Sequence, residues 1–119
     1  MPASFWVDVR DQSRLWTLDE AERHFETLYG DAEPYMQQLV RVFLDDDTFA
    51  PAYQFLNGEL DPRVLTLFER ALELKVPHNA FSVWMLTPLP GRNSPRPAAA
   101  LEHPERLMEY LEAFARNRP

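Results

Sequence analysis

A chain of 119 residues, 45% hydrophobic and 13% aromatic, is long enough for one domain with its own core and too apolar to be disordered as a whole. It has no cysteine, which excludes disulfides, thiolate metal sites and cysteine nucleophiles. A net charge of −7, with the cations scattered along the chain, argues against a generic nucleic-acid binder, which needs a basic face.

Residues 4–10 alternate, with Phe5, Val7 and Val9 on one side and Trp6, Asp8 and Arg10 on the other. The period predicts a short strand or an extended arm. The start of the chain has no basic cluster followed by a long apolar run, so it does not read as a signal peptide. No stretch approaches the roughly 20 apolar residues of a spanning helix. The expectation is a cytoplasmic protein without membrane contact.

Thr17-Leu18-Asp19-Glu20 is a capping-box sequence and predicts a helix over Leu18–Tyr29. Leu18, Ala21, Phe25 and Leu28 fall at helical spacing, and Gly30 suits a left-handed stop. A second helix is predicted over 33–44, with Pro34 in its first turn and Tyr35, Met36, Leu39, Val40, Phe43 and Leu44 as its apolar stripe. Asp45, Asp46 and Asp47 then read as a cation site or as the cap of the next helix, and the helix dipole favours the cap.

A third helix is predicted over 48–57, with Gly58 as its stop. Asp61-Pro62 is an N-cap followed by a proline at the first helical position, and predicts a fourth helix over 62–74. Val64, Leu65, Phe68, Leu72 and Leu74 form its expected buried stripe, and Pro77 ends it. A fifth helix over 79–86 carries Trp84. A proline-rich loop, 88–97, leads to one helical turn over 97–101. The last helix, Pro104–Arg116, sets Leu107, Met108, Leu111, Phe114 and Ala115 against Glu105, Glu109, Glu112 and Arg116.

The expected fold class is therefore all-α: a compact bundle of five to six helices, in two regions, 1–60 and 61–119, of one unit. The two helices flanking the proline loop would close on each other as a clamp.

Catalytic signals are thin. His24, His78 and His103 show no metal-ligand spacing, the glycines form no phosphate loop, and no serine sits in a nucleophile elbow. The chain reads as non-enzymatic, with no cofactor and no metal. His24 reads as a structural histidine and His103, before Pro104, as a cap or hinge. The interaction signals are richer. Trp84 and Met85 are adjacent, so on a helix they point in different directions; Trp84 reads as core or as an interface anchor.

One stretch carries a resemblance. Ser82-Val83-Trp84-Met85-Leu86-Thr87-Pro88, a loop, Arg96-Pro97-Ala98, and then the helix from His103 to Phe114 resemble the toxin-binding domain of the MbcA/ParS/Xre-type antitoxins. Trp84, Pro88, Arg96, Pro97, Leu107, Leu111 and Phe114 stand in the family's order. The resemblance covers about the last third of the chain. It implies a protein that neutralises a co-encoded RES-type, NAD-degrading toxin by covering its active-site cleft. The partner-binding residues would be Trp84, Met85, Pro88, Arg92, Arg96 and Pro97, with Arg116 and Arg118 at the chain end. The resemblance also implies a helix-turn-helix in the first half, here a degenerate one with 48–57 as recognition helix. That segment has no Lys or Arg, follows three aspartates, and offers only Gln54 and Asn57 to a base edge. Weak or absent DNA binding is expected, with Phe49, Tyr53 and Phe55 as a packing or dimer surface. The rival reading is a stand-alone all-α adaptor, homodimeric and without a toxin.

Overall fold

Thr17 starts the first helix as its capping box requires: its hydroxyl accepts from the Glu20 backbone N–H at 3.1 Å, and the Glu20 carboxylate accepts from the Thr17 N–H at 3.4 Å. The computed structural model describes residues 15–91 and 93–117. The strand or arm expected over 4–10, together with Arg92 and Arg118, lies outside the described residues. The chain divides between Leu60 and Asp61 into two compact units.

The first unit mixes helix and sheet, and this overturns the all-α expectation. Strand β1 (Leu15–Thr17) leads into helix α1 (Leu18–Tyr29), which Gly30 ends at φ 81°. Helix α2 (Glu33–Met36) is a single turn. The chain then becomes extended as β2 (Val42–Leu44) and β3 (Asp47–Pro51). β3 is the middle strand of an antiparallel sheet, with Trp16 opposite Ala50 on one side and Phe43 opposite Thr48 on the other.

The helix predicted over 33–44 therefore stops after four residues. Its apolar stripe also fits a period of two: Val40 and Val42 are fully buried, while Phe43 is 50% exposed. Stiff β-branched side chains favour the extended choice. The three aspartates cap no helix. Asp45 and Asp46 form the two-residue turn between β2 and β3, with Asp45 at φ 53°, a left-handed conformation that Asp tolerates better than most residues.

The helix predicted over 48–57 is also absent. That stretch holds β3, a 3₁₀ turn (Ala52–Gln54), and β4 (Phe55–Leu56). β4 pairs antiparallel with β5 (Glu59–Leu60). The turn between them is Asn57-Gly58, both at positive φ (54° and 85°), the geometry that matches the twist of a tight hairpin. No recognition helix exists here, so the helix-turn-helix expectation falls. Gln54, one of the two residues there that could have read a base edge, is 1% exposed and is consumed by backbone bonds.

Ala21, Phe25, Ala32, Leu39 and Ala50 form the core of this unit. Aromatic rings surround it: Trp16 stacks on Phe55 at 4.5 Å between centroids, and Tyr29 on Tyr35 at 4.1 Å.

The second unit is helical. Helix α3 (Pro62–Glu73) starts at Asp61, whose carboxylate accepts from the Arg63 N–H at 2.9 Å. It ends with Lys75 at φ 62° and a bond from the Val76 N–H to the Ala71 carbonyl, with Val76 buried. Its buried face is Val64, Leu67, Phe68 and Ala71; Leu72, expected inside, is 50% exposed. Helix α4 (His78–Leu86) follows, then the loop, a 3₁₀ turn (Pro97–Ala99) and helix α5 (Pro104–Arg116). α5 packs on α3, and α4 packs on the 3₁₀ turn. Among the described residues, no helix is long and apolar enough to cross a membrane.

Candidate functional site

The site is built at the end of α4. Phe81, Trp84, Met85 and Leu86 are all buried, so this short helix is apolar nearly all round. Thr87 ends it: its N–H bonds the Trp84 carbonyl at 3.3 Å, its hydroxyl donates to the Val83 carbonyl at 2.6 Å, and Pro88 prevents continuation. The proline loop then folds back on itself. The Leu89 N–H donates to the Pro95 carbonyl at 3.0 Å, and the Ser94 hydroxyl to the Pro90 carbonyl at 2.9 Å. Gly91, at φ 115°, sits so close to Ser94 that a Cβ would come within 2.7 Å of its hydroxyl oxygen.

Helix α5 supplies the opposite wall. Leu107 and Leu111 form its buried stripe. The neighbouring stripe, Tyr110, Ala113, Phe114 and Asn117, follows the i, i+3, i+4, i+7 spacing of one helix face. With Val83, Trp84, Thr87, Pro88, Leu89 and Pro90 it encloses an open cleft of about 320 Å³. The volume suits one or two large side chains. Among the described residues its lining is mainly apolar, with Thr87 and Asn117 as polar members and the Tyr110 phenol as its one ionisable group.

The predicted residues separate on this geometry. Trp84 is 6% exposed and lines the cleft, so it is core and cleft wall at once. Pro88 is exposed on the rim. Met85 is fully buried, and Pro97 is buried in the 3₁₀ turn; neither presents surface. Arg96 is half-buried before that turn, and Arg116 is exposed in the last turn of α5. Arg92 and Arg118 lie outside the described residues. The sequence reading drew contacts from the 84–97 segment and the last helix without singling out Val83, Thr87, Leu89, Pro90, Tyr110 or Ala113. For Tyr110 and Ala113 the signal was present, as the helical spacing to Phe114 and Asn117.

Charge is divided unevenly along the chain. Residues 1–60 carry four Lys and Arg against twelve Asp and Glu, a net −8; residues 61–119 carry eight against seven, a net +1. The acidity that argues against polyanion binding therefore belongs to the first unit.

No histidine is among the described residues that line the cleft. The His24 Nε2 lies 2.6 Å from the Gly58 carbonyl, at the tip of the Asn57-Gly58 hairpin, and its ring meets Trp16 edge-on at 5.2 Å. This is the structural role expected for it. His103 precedes α5 but makes no side-chain cap bond. Among the described residues, no group of three or more His, Cys, Asp or Glu is placed to hold a metal.

No protein family, curated protein or solved structure matches this chain.

Proposed function

We propose that the 61–119 unit is a protein-docking module and that the chain acts as an antitoxin-like inhibitor, covering the active-site cleft of a co-encoded RES-type enzyme that degrades NAD. The observation that carries the docking part is the apolar cleft walled by Trp84, Pro88, Tyr110 and Phe114. An exposed hollow of this size lined by aromatic and proline carbons gains free energy when an apolar group displaces its water. The hydrogen bonds between Leu89 and Pro95 and between Ser94 and Pro90, with the loop's prolines, would lower the ordering cost of association. The lining offers a binding surface rather than a pair of groups for proton transfer.

The enzyme partner rests on the sequence resemblance of 82–114. Arg96 and Arg106 within this stretch and Arg116 just beyond it are described cations that would meet acidic groups of the partner. The acidic first unit, net −8, is unsuited to DNA, so the activity would lie in protein binding, in the cytoplasm.

Co-expression tests this. The neighbouring reading frame is expressed alone and with this chain while growth and cellular NAD are followed. Loss of NAD with the neighbour alone, and its recovery with both, is the expected result. A harmless neighbour that does not co-purify with the chain would overturn the antitoxin reading.

A further inference from the structure

The cleft does not end at Tyr110. Leu89, Pro90 and Tyr110 also line a second, smaller hollow of about 90 Å³, whose other wall includes His103 and Arg106. The chemistry changes across this shared ridge. On one side the lining is mainly carbon, with Thr87 and Asn117 at its polar points; on the other it includes two basic residues, Arg106 and His103. Arg106 is exposed and makes no ion pair or hydrogen bond among the described residues, although Glu109 stands one turn on along its helix, Glu105 beside it and Glu102 in the turn before the helix. The His103 Nε2 is 3.9 Å from a Glu102 carboxylate oxygen. The unit that bears both hollows has a net charge of +1, against −8 for residues 1–60.

We propose that the two hollows form one recognition track for a linear segment of a protein partner, which seats a large apolar side chain in the cleft and, a few residues along, a carboxylate against Arg106. A guanidinium accepts a carboxylate through two parallel N–H bonds, which fixes the direction of the segment as well as its charge. This assignment rests on the docking reading of the same cleft and adds the chemistry of the partner.

The test is an NMR titration of the full, ¹⁵N-labelled chain with three 12-residue probe peptides in a Ser/Gln background. One carries a Phe with a Glu three residues later, one the same Phe with a Gln in place of the Glu, and one the Glu without the Phe. The expected result is a shift of the Trp84 indole and of the Tyr110 and Asn117 amides. The Phe/Glu peptide should bind about tenfold tighter than the Phe/Gln peptide, the scale of one charge-assisted contact. Arg106→Gln should abolish that preference. Equal binding of the two Phe peptides, or a preference that survives Arg106→Gln, would overturn the carboxylate site and leave the docking reading standing. No shift with either Phe peptide would overturn both. The same shifts produced by raising the concentration of the chain alone would assign the track to a second copy and overturn the proposal.

Discussion

A single side chain, Gln54, holds both backbone groups of Val40. Its Oε1 accepts from the Val40 N–H at 2.8 Å, and its Nε2 donates to the Val40 carbonyl at 3.0 Å and to the Pro51 carbonyl at 3.0 Å. Both residues are buried, so water cannot substitute. The amide replaces the secondary structure that residues 37–41 lack. Gln54→Leu should therefore cost about 2–4 kcal/mol, from two or three unsatisfied backbone groups. Urea unfolding monitored by far-UV circular dichroism measures it. Gln54→Glu keeps the acceptor and loses the donor, so its deficit should shrink as acid protonates the carboxyl.

Asp61 and Arg63 link the start of α3 to pH. The Asp61 carboxylate caps the Arg63 N–H and pairs with the Arg63 guanidinium at 2.8 Å, with its own side chain 3% exposed. Hydrogen bonds from that guanidinium hold the Asp61 carboxyl below the ordinary aspartate range, against its burial, which pushes the other way. The folded state thus favours the ionised form. This stabilisation is complete above the ordinary aspartate pKa of about 3.9 and is lost as pH falls through that value and the lower folded one. Asp61→Asn keeps a competent cap without the charge. It should be less stable than the wild type at neutral pH and should flatten the acid limb of a stability–pH curve. An unchanged acid limb would contradict the assignment.

Trp84 should behave first as a core residue. Its ring is tilted toward Phe81 at 6.0 Å between centroids, and Phe81 in turn meets Phe68 at 5.1 Å. Trp84→Ala should cost about 3–5 kcal/mol, read from the denaturation midpoint. Loss of binding in that variant would then be ambiguous. Variants on the α5 wall are the cleaner probes, since Ala113 and Phe114 line the cleft while Leu107 and Leu111 carry the packing.

The second half of the chain was legible where local chemistry decides. The Asp61-Pro62 start, the Pro104–Arg116 helix and the single turn at Pro97 follow from caps and prolines that act within one turn. The capping box at Thr17 and the stop at Gly30 were legible for the same reason. Residues 33–60 were not, because Tyr35, Met36, Leu39, Val40, Phe43 and Leu44 satisfy a helical period as readily as an extended one, and pairing with β3 decides between them. One signal there was overlooked. Asn57-Gly58 is the strongest short hairpin sequence, yet Gly58 reads equally as a helix stop once a helix is assumed upstream. Of the cleft, Trp84, Pro88 and Phe114 were legible from the resemblance. Leu89 and Pro90 were not, because the fold-back of the loop rests on bonds between Leu89 and Pro95 and between Ser94 and Pro90 that no periodicity announces.

The most direct test of the docking claim is calorimetric titration of the purified chain with the purified product of the neighbouring reading frame, comparing wild type with Ala113→Arg. Ala113 is half-buried on the cleft wall, so an arginine there fills the hollow without emptying the core. The account predicts an unchanged melting temperature within a few degrees and a loss of affinity of at least about a hundredfold, the scale of a blocked interface anchor. Tight binding that survives Ala113→Arg in a folded variant would contradict it.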